Sequence, residues 1–339
     1  MSPKLKTFLK LALSLGLALF FFYLAFQNVE WHPLRQAIWQ ANPAWLLVGI
    51  LIIHLSNLPR AWRWLILLAP ISKKITLWQA VKAVIIGYAG NSIFPRAGEV
   101  ARLVPIKQAH DLSLSALLAT VVIERALDLV AFFLLFGVVL LISRDKIARV
   151  FPGLEYISLL TLIGLVALLI LLIILSIYGT RALPPIERLL GRFSRPLATR
   201  FVNLLQNFLL GIRSVQSVSA YLGIFFSTVL LNLCYLMSVY ASLFAFQFQE
   251  IHRLGVLDAL VVLIIGTIGV IIPTPGGTGT YHFFCTQALT QFFGVQKTEA
   301  AAFATVMHGL TMLSFLILGG PGLIRLFWAR KSPKNLSDT

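Results

Sequence analysis

Residues 271–283 read IIPTPGGTGTYHF and decide how this chain folds. Two prolines and three glycines, all of which weaken a helix, fall close together in this stretch. They are Pro273, Pro275, Gly276, Gly277 and Gly279. In water such a cluster would be an ordinary loop. Both flanks of the cluster are apolar, so its meaning depends on the environment of the whole chain.

The composition of the chain is that of a membrane protein. Of its 339 residues, 58% are hydrophobic and only 12% are charged, whereas about a quarter of the residues in a soluble domain are charged. Apolar runs of about twenty residues recur along the chain, and no polar block is long enough to form a soluble domain. The sequence therefore predicts one all-α, polytopic membrane domain over residues 1–339.

The formal net charge of +16 also has a membrane explanation. In a soluble protein this excess would suggest nucleic acid as a partner, which is not expected here. The Lys and Arg residues of membrane proteins concentrate in cytoplasmic loops and are attracted to anionic inner-leaflet lipid. The basic segment 179–218 is therefore predicted to be cytoplasmic, and its arginines are Arg181, Arg188, Arg192, Arg195, Arg200 and Arg213.

The apolar segments are of two kinds. Six are long enough to be full transmembrane helices, namely residues 8–26, 44–68, 114–142, 156–178, 220–247 and 299–326. Two others, residues 76–108 and 255–294, are interrupted and are predicted to be re-entrant hairpins. This layout puts most Lys and Arg residues and both termini in the cytoplasm, at the inner face of the cell membrane. The first span is expected to be retained, because no cleavage site follows it.

The order span, span, hairpin, span occurs twice along the chain. Because each unit crosses the membrane three times, the second half, residues 156–326, would be inverted relative to the first, residues 8–142. The two hairpins would then enter the membrane from opposite sides. Transporters are often built from such inverted repeats.

The glycine-rich interruption in the second hairpin is the first candidate site. Non-helical backbone at membrane depth is tolerated only where protein or a water-filled cavity covers it. PTPGGTGT is therefore expected to line a cavity, with a helix that restarts near Tyr281 and directs free N–H groups at an anion. The candidate ligand-contacting residues are Pro275, Gly276, Gly277, Gly279 and His282. A surface loop between two ordinary spans is the alternative.

The first hairpin is interrupted by NSIFPRAGEVAR, residues 91–102, which combines a proline with charged residues. Arg96, Glu99 and Arg102 are three residues apart, so in a helix after Pro95 the carboxylate could contact either arginine. With Asn91 they could bind a lipid phosphate while Glu99 holds the arginines in place. A salt-bridge cluster that only anchors the hairpin is the alternative.

The third span contains VVIERALDLV, which puts Glu124 and Asp128 on one helical face beside Arg125. Each ionised residue at mid-membrane costs about 2.5–3.5 kcal/mol on an insertion scale. Arg125 and Asp128 could pair and leave Glu124 for Arg96, Arg102 or a proton. The cluster is either a charged pathway or proton-coupled switch, or a buried network that only holds the fold.

Arg60 and Arg63 lie at the predicted cytoplasmic end of the second span, flanked by Trp62 and Trp64. Basic and aromatic side chains in this combination are typical of an interfacial anchor in the headgroup layer. A site where lipid enters the protein is the second interpretation.

The sequence contains no enzyme signature. It has no P-loop, HExxH, GxSxG or nucleotide-binding GxGxxG, so we predict no catalytic residue and no cofactor. Cys234 and Cys285 lack a metal-ligand spacing and are expected to pack in apolar segments, so no metal site is predicted. His54 and His308 are expected to be satisfied packing residues.

Three motifs in this order, NSIFPRAGEVAR, ERALD and PTPGGTGTYH, resemble the lysylphosphatidylglycerol synthase transmembrane family, also called flippase-like domain proteins. The resemblance extends from about residue 8 to residue 327. It implies importance for Arg96, Gly98, Glu99, Arg102, Glu124, Arg125, Asp128, Pro275, Gly276, Gly277 and Gly279. In the best-known relatives this domain precedes a soluble synthase domain and is thought to move the modified lipid between leaflets. The synthase domain is expected to be absent here. Many relatives carry an acidic residue near the position of His282, which leaves substrate and coupling open.

Three functions fit these residues, and a lipid transporter ranks first. It would move an anionic phospholipid or a polyisoprenyl-phosphate-linked lipid between leaflets, with Arg96 and Arg102 binding phosphate. A membrane-embedded transferase ranks second, with a motif carboxylate or His282 as general base. The third is a non-catalytic partner of an envelope glycosyltransferase or lipid-modifying enzyme, bound through the basic segment.

Overall fold

The computed structural model describes residues 3–143 and 217–329 continuously and parts of 163–206. Within these residues every regular element is helical and none is a strand, which confirms the all-α prediction. The helices are α1 (Pro3–Phe26), α2 (Trp31–Gln40), α3 (Pro43–Leu55), α4 (Asn57–Leu68), α5 (Leu77–Ile93), α6 (Ala97–Ala101), α7 (Leu103–His110), α8 (Leu114–Ile142), α9 (Leu183–Gly191), α10 (Val218–Ala245), α11 (Phe248–Ile251), α12 (Val256–Ile271), α13 (Thr280–Gln287) and α14 (Lys297–Ala329). The predicted span at residues 156–178 lies almost wholly outside the described residues.

Four described segments are long and apolar enough to cross a membrane, which makes the chain a multi-pass membrane protein. They are Pro43–Leu68, Leu114–Ile142, Val218–Ala245 and Lys297–Leu326. A fifth is present if Leu11–Phe26 and Trp31–Gln40 count as one broken span, although these two helices meet at 88°. The total of six spans stays a prediction.

The short helix α2 follows the first predicted span and was not anticipated from the sequence. Its Leu34 is buried with Ala301 and Ala302 of α14, whereas Trp31 and Trp39 are exposed. Exposed tryptophans on a helix that turns away from a span are typical of the membrane interface.

Both interrupted segments fold back on themselves, as expected of hairpins. In the first, α6 returns so close to α5 that a Cβ added to Gly98 would lie 1.7 Å from the Gly87 carbonyl oxygen. In the second, α13 returns along α12, and a Cβ added to Gly269 would lie 2.6 Å from the Thr280 carbonyl oxygen. The start of α13 at Thr280 agrees with the predicted restart near Tyr281. That the two hairpins are re-entrant, and the side from which each enters the membrane, stay predictions.

The chain divides into two compact units. The first comprises Met1–Ala61, Thr76–Asp111 and Val229–Thr339, and contains both hairpins. One of its hydrophobic clusters includes Cys285, which is fully buried, as expected of a packing residue. The second unit comprises Trp62–Ile75 and Leu112–Thr228. The inverted repeat of residues 8–142 and 156–326 stays a prediction.

Candidate functional site

The two interruptions meet inside the first unit. Gly276 lies in a short 3-10 turn, Pro275–Gly277, between α12 and α13. A Cβ added to Gly276 would lie 2.8 Å from Met312 Cε and 3.4 Å from Ser92 Cα, and Ser92 is near the end of α5. Met312 is close to the midpoint of the apolar span Lys297–Leu326. Both interruptions therefore lie level with the middle of a span.

The glycines of the second interruption are required by backbone geometry. Gly277 and Gly279 have φ angles of +80° and +81°, which favour residues without a Cβ. A Cβ added to Gly279 would also lie 2.1 Å from the Ala18 carbonyl oxygen, because α1 packs directly against this backbone. Gly277 and Gly279 are buried, so the alternative of a surface loop is wrong.

Hydrogen bonds fasten this interruption to α1 and to the start of α13. The Ser14 hydroxyl donates to the Pro273 carbonyl oxygen over 2.7 Å. The Thr280 hydroxyl donates to the Gly277 carbonyl oxygen over 3.0 Å and lies 2.9 Å from the Thr274 hydroxyl. These bonds satisfy backbone carbonyl groups that have no helical partner.

The first interruption is closed by its own polar residues. The Gly98 N–H donates to the Asn91 side-chain oxygen over 2.8 Å, so Asn91 holds the reversal together. Glu99 pairs with the buried Arg102 over 3.3 Å, as the helical spacing predicts. Arg96, in contrast, precedes α6 with a left-handed φ of +60°, and it is exposed. The expectation that Arg96 shares a helical face with Glu99 is therefore wrong.

Arg60 begins a chain of polar groups that leads to the first interruption. Its guanidinium donates to the Tyr235 hydroxyl over 2.9 Å, and this hydroxyl lies 3.0 Å from the Tyr88 hydroxyl. One turn beyond Tyr88, the Ser92 hydroxyl donates to the Tyr88 carbonyl oxygen over 3.0 Å. Arg60 is only 5% exposed, which excludes an anchor in the headgroup layer. Sequence reasoning missed both tyrosines, whose only sign was a hydroxyl group within an apolar helix.

The charged residues of ERALD form a compact ion network in the second unit. Arg63, which is fully buried, pairs with Asp128, lies 3.8 Å from Glu124 and donates to the Thr228 hydroxyl over 3.2 Å. Arg125 bridges the same carboxylates, at 2.7 Å from Glu124 and 3.0 Å from Asp128. The sequence suggests Arg96, Arg102 or a proton for Glu124, whereas the structure supplies Arg63.

The burial of this network corrects a second sequence-based interpretation. Arg63 and Trp64 are both fully buried, and the Trp64 indole N–H donates to the Thr120 hydroxyl over 2.9 Å. These two residues are therefore not an interfacial anchor. Two arginines and two carboxylates balance in charge, as expected of ionised groups removed from water.

Two histidines lie beside the second interruption. His282, in the first turn of α13, and His308 of α14 have ring centroids 5.2 Å apart. A Cβ added to Gly277 would lie 3.7 Å from His308 Cε1, so this ring faces the interruption. The buried Nε2 of His308 and both ring nitrogens of His54 have no hydrogen-bond partner among the described residues, so the expectation of satisfied packing histidines is wrong. The described part of the chain holds no group of three or more His, Cys, Asp or Glu suited to a metal ion.

The order and position of these features agree with one protein family. The family model described as the lysylphosphatidylglycerol synthase TM region matches residues 8–319, which include both interruptions and the ion network. The chain belongs to this family. Family membership confirms the resemblance drawn from the three motifs and makes the chain a membrane protein connected with lipid handling. No curated protein matches the chain.

In this family member, the first unit brings most of the predicted site residues together. Around the contact of Gly276 with Ser92 lie the two glycine-containing reversals, the polar chain from Arg60 and the histidine pair. Arg63, Glu124, Arg125 and Asp128 belong to the second unit. The predicted residues therefore form two separate groups, a polar region at the interruptions and a charge-balanced network.

Proposed function

We propose that this protein is a lipid transporter that moves an anionic phospholipid or a polyisoprenyl-phosphate-linked lipid between the leaflets of the cell membrane. The contact of Gly276 with both Ser92 and Met312 is the observation that supports this most. Two interrupted backbones at mid-span depth need a cover of protein or water-filled cavity. Paired interruptions of this kind form the substrate sites of transporters.

The chemistry at the interruptions suits a phosphate. Arg96 places an exposed guanidinium at the first interruption, and arginine matches phosphate with paired N–H donors. At the second interruption, α13 begins at Thr280 after a non-helical stretch, so its first N–H groups favour an anion. In this mechanism the headgroup passes the interruptions while the acyl chains stay in lipid.

Leaflet exchange in liposomes tests this proposal. Purified protein is reconstituted with fluorescent phosphatidylglycerol, and with a phospholipid of no net charge as the comparison. Dithionite then bleaches only the outer leaflet. We expect the protein to accelerate exchange of the anionic lipid more than that of the neutral lipid. Absence of exchange with phosphatidylglycerol and with a polyisoprenyl phosphate would refute transport, and turnover of a lipid-linked substrate in detergent would support a transferase.

A matched pair of glycine variants ties exchange to the interruption. Gly276→Ala introduces a Cβ at a φ of +59°, against Met312. Gly309→Ala adds the same atom to the neighbouring helix α14, where nothing lies within 4 Å. We expect exchange to fall in the first variant and to stay at the wild-type rate in the second. Equal exchange rates in the two variants would show that the interruption does not contribute to transport.

A further inference from the structure

The histidine pair beside the second interruption has unusual surroundings. The His282 ring lies between Phe22 and Phe26 of α1, with centroid distances of 5.6 Å and 6.0 Å. The His308 ring stacks on Tyr281 at 4.9 Å. The His282 residue is only 5% exposed. His282 is thus buried among aromatic rings and His308 is half-buried, at a depth where histidine is costly.

Each ring keeps a buried polar atom without a hydrogen bond. Within the described residues, neither Nδ1 of His282 nor Nε2 of His308 has a partner. A neutral imidazole has one N–H donor and one nitrogen lone pair, and burying either one unbonded is unfavourable. Buried unbonded ring nitrogens also occur on His54 and His252 among the described residues. The pair differs from them because two such atoms lie on neighbouring rings beside an interruption.

The titratable groups that face the pair are themselves uncharged in their ordinary states. From α13, Tyr281 stacks on His308, and α1 presents Phe22 and Phe26 while its Tyr23 is exposed. No carboxylate or ammonium group contacts either ring among the described residues.

The carboxylates of the packed helices stand at the starts of α12 and α14, and the Lys297 ammonium donates to the Leu24 and Gln27 carbonyl oxygens near the end of α1. Lys297 and Glu299 stand at the start of α14, about 13–17 Å along the helix axis from His308. Asp258 stands at the start of α12, where it accepts a hydrogen bond from the Gly255 N–H. An imidazolium at the pair would therefore lack a protein counter-ion.

An anionic ligand could supply the counter-charge that a protonated pair needs. A protonated histidine in apolar surroundings is unfavourable unless an anion lies close. The second interruption, whose Gly277 backbone adjoins the His308 ring, is where an anion would come close. Two protonated rings 5.2 Å apart would repel each other, so the pair accommodates one added proton at most.

We propose that His282 and His308 form a binding site for a single proton, filled when an anionic lipid headgroup occupies the neighbouring interruption. The proton adds to a nitrogen lone pair of one ring and converts that imidazole to imidazolium, and no other bond changes. The inference rests on the proposed function, because it takes the transported headgroup as the counter-ion. Lipid movement and proton movement would then be linked through this pair.

Nitrogen NMR of histidine-labelled protein in nanodiscs measures this protonation directly. Spectra are recorded from pH 4 to pH 8 in phosphatidylcholine alone and in phosphatidylcholine mixed with phosphatidylglycerol. His282→Gln and His308→Gln assign the two signals, and if one variant does not fold, the other still removes one member of the pair. The exposed His32 reports the change in surface proton concentration that anionic lipid causes.

His252→Gln is the matched control. His252 also has a buried, unbonded Nε2 and packs edge-on against Phe248 at 5.7 Å, but it lies outside both interruptions. We expect phosphatidylglycerol to raise the proton affinity of the pair by about tenfold or more beyond the change at His32. We expect His252 to show no such excess. Two rings that stay neutral in both membranes, or that follow His32, would overturn the proposal.

Leaflet exchange in the same preparations separates the two proposals. Exchange of phosphatidylglycerol without lipid-dependent protonation would refute the proton site and leave transport intact. Protonation of the pair without any exchange would support the proton site and refute transport. If both hold, exchange in His282→Gln should lose the pH dependence that the wild type and His252→Gln show.

Discussion

The backbone of Gly276 rests against the side chain of Met312, with an added Cβ only 2.8 Å from the methyl carbon. His308 precedes Met312 by one turn of α14, and Phe315, which stacks on Tyr88 at 4.4 Å, follows it. Residues at this spacing lie on one helical face. A single face of α14 thus contacts the second interruption, the histidine pair and the polar chain that leads from Arg60.

Gly98→Ala should destabilise the protein strongly, because its Cβ would lie 1.7 Å from the Gly87 carbonyl oxygen and 2.8 Å from Asn91 Cγ. Forcing an atom into a packed interface costs about 1–3 kcal/mol or more. Gly320→Ala is the control, since nothing lies within 4 Å of its added Cβ. Thermal unfolding in detergent should show a lower midpoint for the first variant only. Equal midpoints would mean that the backbone at residues 94–98 has room for a Cβ at Gly98.

Arg96→Asn should abolish the preference for anionic lipid and keep the fold. Asparagine tolerates a left-handed backbone, so the φ of +60° survives while the charge is lost. Arg253→Asn is the control, because Arg253 is also an exposed arginine with a left-handed φ, of +55°, outside both interruptions. Initial rates of leaflet exchange compare the two. A similar loss in both variants would indicate a general effect of surface charge, and no loss in either would exclude Arg96 from phosphate binding.

Arg63→Gln should lower the thermal stability of the protein far more than Arg125→Gln does. Arg63 is fully buried between Glu124 and Asp128, and removing one member of a buried ion pair costs about 3–5 kcal/mol. The Arg125 side chain is 44% exposed, and its removal leaves the buried Arg63 in place beside both carboxylates. Thermal midpoints of the two variants, measured side by side, test this difference. Equal midpoints would show that the two arginines stabilise the ion network to the same extent.

Tyr235→Phe should weaken the first unit and lower transport. The variant removes the hydroxyl that accepts from Arg60 and lies 3.0 Å from the Tyr88 hydroxyl. Losing a buried hydrogen-bond partner costs about 1–3 kcal/mol. Tyr221→Phe, at an exposed tyrosine of the same helix, is the control. If thermal midpoint and exchange rate are unchanged in Tyr235→Phe, the polar chain does not contribute to either property.

Cysteine accessibility tests the predicted topology. With Cys234 and Cys285 replaced, Glu250→Cys should react with an impermeant maleimide added outside intact cells, because the positive-inside layout places this exposed residue outside. Lys107→Cys, also exposed, should react only after the membrane is permeabilised. The reverse pattern would invert the topology and move both termini out of the cytoplasm.

Much of the fold could be predicted from hydropathy and from the helix-breaking prolines and glycines. The all-helical class, the two reversals and the restart of a helix at Thr280 all depend on residues adjacent in the chain. Proline removes a donor and glycine permits positive φ wherever they occur, so their effect is readable without knowledge of distant contacts.

Packing between distant segments determines which polar residues are buried and which partners they contact. The neighbouring tryptophans suggested that Arg60 and Arg63 anchor the chain at the membrane interface. Both are buried instead: Arg60 donates a hydrogen bond to Tyr235 of α10, and Arg63 forms an ion pair with Asp128 of α8. The pairing of His282 with His308 likewise joins two helices separated along the chain. Composition and spacing report the properties of neighbouring residues, whereas burial and ion pairing depend on packing between distant segments. The sequence therefore determined where the backbone breaks, and packing decided which side chains meet at those breaks.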